Sequence, residues 1–90
     1  MAIKRTMVVN LYRSSYDICI MRGTKWGNPF RISEHCTREE SIEKHKKWLP
    51  KQKHLMDSLH KLKGKRLGCC CFPKPCHGDN LVEAVKEHCL

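Results

Sequence analysis

One segment predicts the centre of the fold: Arg66-Leu-Gly-Cys-Cys-Cys-Phe72, then Pro73-Lys-Pro75, then Cys76-His-Gly-Asp-Asn80. Its first part is short and apolar, which is typical of a buried strand. The two prolines predict a rigid turn, and a helix is expected to start near Asp79 or Asn80. A strand, a tight loop and a helix in this order indicate an α/β domain, in which ligands bind at the carboxyl ends of strands.

The helix at the end of this segment has its own start signal. Asn80 and Glu83 fit a capping box, in which the two side chains satisfy backbone N–H groups at the helix start. Residues at helical spacing predict its inner face: Leu81, Ala84, Val85 and His88. Because the first N–H groups of a helix attract anions, an anionic ligand could bind here.

Two strands and a loop are predicted nearer the amino terminus. Residues 7–12 and 18–21 are rich in apolar and β-branched residues, and a turn signal lies between them, so each is predicted as a strand. Residues 22–32 contain two glycines and a proline, which predict a loop.

Two helices are predicted between that loop and the central segment. Thr37 and Glu40 form a capping box at the start of the first helix, and Pro50 stops its regular pattern. The second helix is predicted at residues 52–62, with Gly64 as a stop. The order is strand, strand, helix, helix, strand, helix. We therefore expect one small α/β domain over residues 1–90, with a short sheet flanked by helices.

The net charge of +9 in 90 residues is concentrated in one region. Residues 44–66 contain nine basic residues and one acid, and carry +8 of that charge. A basic surface can bind nucleic acid, but a solvated lysine-rich helix surface would have the same composition. Charged residues are 30% of the chain, and no apolar stretch approaches the ~18 residues of a membrane span, so no membrane partner is expected.

The seven cysteines predict thiol or metal chemistry. Because the first residues lack an apolar signal core, a cytoplasmic location is expected, in the host cell if the protein is encoded by a phage. In that reducing compartment cysteines act mainly as thiols, metal ligands or catalytic groups. The odd number also argues against a fully paired disulfide framework.

The cysteines and histidine around the central turn allow three interpretations. In the first, Cys69, Cys71, Cys76 and His77 bind zinc, which prefers four sulfur or nitrogen ligands. In the second, Cys76 is a nucleophile at a helix start, His77 is its general base and Cys71 is its neighbour. In the third, the cysteines are small core residues, which fits Cys19, Cys70 and Cys89 best.

The loop at residues 22–32 contains a second set of candidate residues. Arg22 and Lys25 could contact phosphate, Trp26 could stack on a base, and Asn28 could hydrogen-bond to a base edge. The alternative, favoured for the aromatics, is that Trp26 and Phe30 anchor the loop on the core. Three further candidates for ligand binding lie elsewhere in the chain: Asn10, Arg13 and Asp79.

Six segments together resemble the domain of unknown function 4326 family, small proteins frequent in bacteriophages and other microbial genomes. The segments are Val9–Arg13, Tyr16–Ile20, Lys25–Phe30, Thr37–Glu40, Gly64–Cys69 and Pro73–Asp79. The resemblance covers about residues 8–86. The family usually has Trp at the position of Cys70, which implies that Cys70 packs, and leaves Cys69, Cys71, Cys76 and His77 as the cluster.

The strand, turn and Cys-His pair are also similar, more weakly, to the domain of unknown function 488 family. This similarity implies a pocket for a small ligand or anion and not a structural zinc site, but it concerns the fold alone. Neither family name supplies a reaction. Three functions follow: binding of nucleic acid or a nucleotide, a small Cys/His enzyme acting on a nucleotide-like substrate, and a host-directed protein-interaction module with a structural zinc site. The sequence leaves the oligomeric state open.

Overall fold

A short parallel sheet lies at the centre of the computed structural model, which describes residues 5–88. Its strands are β1 (Met7–Asn10), β2 (Ile18–Cys19) and β3 (Arg66–Cys69). They are arranged in the order β1-β3-β2, and β3 pairs in parallel with both neighbours. The middle position explains the composition of β3, because Leu67, Gly68 and Cys69 are all buried.

Three helices occur in the predicted order, two between β2 and β3 and one after β3. They are α1 (Arg38–Trp48), α2 (Lys53–Ser58) and α3 (Gly78–His88), with 3-10 turns at Leu49–Lys51 and Leu59–Leu62. The small mixed α/β fold is therefore confirmed. No helix in residues 5–88 has both the length and the hydropathy needed to cross a bilayer.

All three strands are shorter than predicted, because local hydrogen bonds turn the backbone away from the sheet. After Cys69, the Cys71 N–H donates to the Cys69 Sγ at 3.4 Å and no longer to a neighbouring strand. At the end of β1, the Asn10 Oδ1 accepts the Tyr12 N–H at 2.9 Å. At the end of β2, the Thr24 N–H and the Met21 carbonyl form a turn.

The helix signals were partly correct. The Thr37 cap is confirmed, because the Thr37 Oγ1 accepts the Glu40 N–H at 3.1 Å. The Glu40 side chain reaches back to Thr37, but it accepts the Thr37 hydroxyl at 3.2 Å. The predicted helix at 52–62 becomes a short α-helix followed by a 3-10 turn. The Asn80 cap was wrong: Asn80 lies within α3, and its Nδ2 donates to the Ile42 carbonyl at 2.9 Å.

The core lies between the sheet and the helices, and leucines form most of it. The most completely buried large side chains are Ile20, Leu55, Leu59, Leu62, Leu67 and Leu81. Trp26 is 7% exposed and belongs to this core, so the prediction that it anchors the loop is confirmed. Two packing predictions were wrong, because Cys70 and His88 are exposed. The prediction for Cys89 lies outside the described residues.

Candidate functional site

The carboxyl ends of the three parallel strands meet at one edge of the sheet, and a cavity of about 280 Å³ lies there. Its walls come from the turn between β3 and α3, from the loop at residues 22–32, and from α1. Two arginines, Arg22 and Arg38, contribute the cationic part of the wall. Apolar side chains, including Phe30, Ile32 and Ile42, form another part of the wall.

A cluster of two cysteines and one histidine lines the same cavity. The Sγ atoms of Cys69 and Cys76 and a ring nitrogen of His77 all lie within 4.8 Å of one another, and all three residues are buried. This group could hold a metal ion. Cys71, the fourth predicted ligand, lines the cavity but is not among these three.

Backbone hydrogen bonds position both sulfur atoms of the cluster. The Gly78 N–H, at the start of α3, donates to the Cys76 Sγ at 3.3 Å. The pKa of Cys76 is lowered, first by a hydrogen bond from Cys69 and then by the Gly78 N–H, although burial opposes the change. The pKa of Cys69 is raised, first by the same bond with Cys76 and then by burial. Cys76 therefore has the more acidic of the two thiols.

His77 is held by a backbone carbonyl. Its Nε2 lies 2.6 Å from the Ile20 oxygen, so Nε2 carries the hydrogen and Nδ1 carries the lone pair. Burial lowers the pKa of His77, although the Ile20 carbonyl, and next the Trp26 backbone, oppose this. His77 is therefore neutral near pH 7. A role as general base for Cys76 would have to use Nδ1.

A second buried histidine lies behind the cluster. The His45 ring is 5.3 Å from the His77 ring, centroid to centroid, and Asn80 lies 3.0 Å from its Nδ1. Burial, and next repulsion from His77 when that ring is protonated, lowers the pKa of His45 to about 4. His45 is thus an uncharged packing partner that limits how far His77 can move.

Arg38 is the site residue that sequence reasoning missed. Its Nη1 donates to the Pro75 carbonyl at 3.2 Å, and its pKa is raised, first by a hydrogen bond with the Cys71 side chain. The sequence predicts residues 37–40 as a helix start and as part of the family resemblance, and neither gives Arg38 a role. A signal was present, since a cation in the first turn of a helix opposes the helix dipole and needs another reason to be there.

Asn28 lines the cavity but is occupied by contacts within the protein. Its Oδ1 accepts the Phe30 N–H and its Nδ2 donates to the Ser41 Oγ, both at 2.9 Å. Ser41, which is 1% exposed, in turn donates to the Phe30 carbonyl. Asn28 therefore fixes the loop against α1, so that Arg22 and Phe30 are held at the cavity.

Five of the predicted ligand-binding residues do not line this cavity. Lys25 donates to the Ser58 Oγ at 2.9 Å and lies over the Trp26 ring, with its Nζ 5.5 Å from the centroid. Asn10 donates to the Phe72 carbonyl, Arg13 is exposed, and Asp79 accepts the Cys76 N–H at 3.3 Å. The structure thus groups Arg22 and Asn28 with the cluster and leaves the other candidates elsewhere.

The basic region is a separate feature of the surface. All nine of its lysines and arginines are exposed, and none of them lines the cavity. Three make polar contacts to neighbouring groups: Lys44 with Cys36, Lys47 with Glu43, and Arg66 with Asp17. The basic region and the cavity are therefore two separate features of the described residues.

A short parallel sheet with a Cys/Cys/His cluster and two arginines at its carboxyl edge defines a small α/β protein with a ligand-sized cavity. Residues 3–87 match the family described as Domain of unknown function (DUF4326), and the chain belongs to that family. The prediction of this phage-type family is confirmed.

A named relative comes from Enterobacteria phage T4, the "Uncharacterized 12.4 kDa protein in nrdA-td intergenic region". The two chains are 43% identical over 84 residues, which cover 89% of this chain and 77% of the relative. No solved structure matches the chain.

Proposed function

We propose that this phage-type protein binds a small anionic ligand of the nucleotide class in the cavity at the carboxyl edge of the sheet. The observation that carries this proposal is the presence of Arg22 and Arg38 in the wall of one cavity that is otherwise largely apolar. Arginine donates paired hydrogen bonds to phosphate oxygens, and an apolar wall suits the face of a base. A ligand that has both a phosphate and a base would match both parts of the wall.

The volume of the cavity supports a ligand of modest size. Small-molecule sites are usually about 300–1,000 Å³, so about 280 Å³ is at the lower end of that range. A nucleoside monophosphate, or the base or phosphate part of a longer nucleotide, is of suitable size. Arg38 is well placed for phosphate, since its hydrogen bond to the Pro75 carbonyl holds the guanidinium at the wall.

Replacing Arg38 by Gln tests the proposal. We expect binding of nucleoside monophosphates to weaken by roughly 10-fold to 100-fold, because a charge-assisted hydrogen bond contributes about 1.5–3 kcal/mol. Isothermal titration calorimetry on the metal-free protein, with inorganic phosphate as a separate probe, measures this change. Lys53→Gln, an exposed change on α2, is the matched control. Equal affinities in both variants, or no binding by the wild type, would refute the proposal.

The basic surface formed by residues 44–66 is the basis of a second candidate function, nucleic-acid binding. Nine exposed cations in one region favour contact with phosphates along a strand. Affinity for DNA or RNA oligonucleotides should then fall steeply as salt rises. Absence of binding at low salt would reject this function without affecting the proposal for the cavity.

A small thiol enzyme remains the alternative for the cavity, with a nucleotide-like substrate and Cys76 as the nucleophile. The observation in its favour is that the Cys76 sulfur accepts the Gly78 N–H at 3.3 Å and has its pKa lowered. Turnover lost in Cys76→Ser and kept in Cys36→Ser, with both variants folded, would support it. A host-directed module with zinc bound by Cys69, Cys71, Cys76 and His77 is a further alternative, and its signature is a specific host partner without catalysis.

A further inference from the structure

Each residue of the Cys/His cluster has its own backbone partner. The Cys71 N–H donates to the Cys69 Sγ at 3.4 Å, and the Gly78 N–H donates to the Cys76 Sγ at 3.3 Å. His77 donates its Nε2 hydrogen to the Ile20 carbonyl, which leaves the Nδ1 lone pair for a ligand bond. Outer hydrogen bonds of this kind fix the ligands of metal sites, stabilise thiolates and select the histidine tautomer.

We propose that Cys69, Cys76 and His77 bind one Zn²⁺ ion, and that the fourth coordination position opens into the cavity. The metal site differs from the four-ligand site predicted from the sequence, because Cys71 is not a ligand. Two sulfur ligands and one nitrogen ligand suit zinc, and three protein ligands leave one position for water or another small ligand.

The distances fit a site that closes slightly on the metal. With bonds of about 2.0–2.3 Å, the ligand atoms of a tetrahedral zinc site are roughly 3.5–3.8 Å apart. The cluster holds its three atoms within 4.8 Å of one another, so each needs to move by less than about 1 Å. The adjacent positions of Cys76 and His77 are no obstacle, since their donor atoms already lie within this distance.

Binding changes the protonation of the cluster in a defined way. Zn²⁺ forms bonds to both sulfur atoms and to the neutral His77 nitrogen, and the two thiols release two protons to solvent. The bound site then has no net charge, because two thiolates balance the divalent ion. This suits the burial of all three ligands.

Cys71 is better explained as a partner of Arg38. It is half-buried, it lines the cavity beside Arg38, and its side chain is the first cause that raises the pKa of Arg38. All three ligands line the cavity, so the open position faces the space that also contains the arginines. An anionic ligand in that space would contact the metal as well as Arg22 and Arg38. This contact between ligand and metal alone rests on the proposed function.

Titration of the full-length protein with Zn²⁺ and with Co²⁺ tests the metal site. We expect one equivalent to bind, and the Co²⁺ form to show thiolate charge-transfer bands and the strong visible bands of a tetrahedral site. Cys69→Ser, Cys76→Ser and His77→Gln should lose stoichiometric binding. Cys71→Ser and Cys36→Ser are the matched controls and should keep it, and circular dichroism verifies the fold of each variant.

Three outcomes would overturn the proposal. They are an absence of stoichiometric binding by the wild type, retention of binding in folded Cys76→Ser, and loss of binding in folded Cys71→Ser. The open position has its own measurement, since azide added to the Co²⁺ protein should shift the visible bands only if a position is free. Because nucleotide affinity is measured on metal-free protein, failure of the metal site and failure of the proposed function are distinguishable.

Discussion

At the scale of single residues, Gly78 has the most demanding position in the site. A Cβ atom at this position would lie 2.8 Å from both the Ile20 Cδ1 and the Val8 Cγ2, and 3.3 Å from the Cys76 Sγ. Only glycine lets the start of α3 approach the sheet closely enough for its N–H to reach that sulfur. The family resemblance included this glycine, but the sequence could not show what lay against it, since the contacts come from residues 58–70 positions earlier.

We predict that Gly78→Ala lowers the free energy of unfolding by about 1–3 kcal/mol, because the added methyl group overpacks the contact with Val8 and Ile20. Urea denaturation monitored by circular dichroism measures the change. Glu83→Ala, an exposed change in the same helix, is the control and should be nearly neutral. An unaltered stability in Gly78→Ala would show that α3 can move away from the sheet freely.

At the scale of elements, local signals were reliable and signals that depend on distant partners were not. The α1 cap was correctly predicted because Thr37 and Glu40 are three residues apart and act on each other. Asn80 and Glu83 form an equally good capping pattern, yet the Asn80 side-chain amide donates to the Ile42 carbonyl on α1 and does not cap α3. A competing acceptor 38 residues away in the chain cannot be seen in a local pattern.

We predict that Thr37→Ala lowers the free energy of unfolding by about 1 kcal/mol, because the Glu40 N–H loses its acceptor. Thr37→Ser keeps the hydroxyl and should stay close to the wild type. Thermal unfolding of the three proteins provides the measurement. If Thr37→Ser were as unstable as Thr37→Ala, packing of the methyl group and not the cap would be responsible.

The entrance to β2 is tied to β3 by Asp17. Its Oδ2 accepts the Arg66 N–H at 2.9 Å and lies 3.6 Å from the Arg66 Nε. The Arg66 backbone bond is the first cause that holds the pKa of Asp17 below its ordinary value of 3.8. A carboxyl group whose pKa is lowered in the folded state stabilises the fold at any pH above its ordinary pKa. That contribution is lost as the pH falls through the folded-state pKa.

We therefore predict that the wild type loses more stability than Asp17→Asn when the pH falls from about 5 to about 2. Denaturation at several pH values measures the difference. Asp57→Asn, an exposed acid on α2, is the control and should follow the wild type. Parallel pH profiles for wild type and Asp17→Asn would contradict the role of this bond.

At the scale of the whole molecule, the basic surface formed by residues 44–66 and the cavity with the Cys/His cluster are separate. The sequence predicted the basic surface correctly, because a run of lysines is expected to be exposed whatever the rest of the fold is. It could not predict the cavity, which combines Arg22, Arg38 and the cluster from three separated segments. Cys69, Cys76 and His77 were predicted as a group, since only a turn separates them. Cys70 was misplaced because the chain leaves the sheet at Cys69.

The separation of surface and cavity gives a prediction for a triple variant. Replacing Lys61, Lys63 and Lys65 by Gln should weaken oligonucleotide binding and reduce the slope of log affinity against log salt by about 2–3, since each lost phosphate contact contributes about 0.7–0.9. Nucleoside monophosphate binding should be unchanged. Equal losses for both ligands would indicate one continuous site.

The strand order has a consequence for when the protein can fold. β1 and β2 do not pair with each other, and each has β3 as its hydrogen-bonded neighbour. Residues 7–19 therefore stay unpaired during synthesis until residues 66–69 have left the ribosome. Such distant pairings slow folding. The sheet, the edge that borders the cavity and the backbone around the Cys/His cluster then form together, late in folding. A nascent chain halted before β3 would offer two unpaired strands to chaperones or proteases.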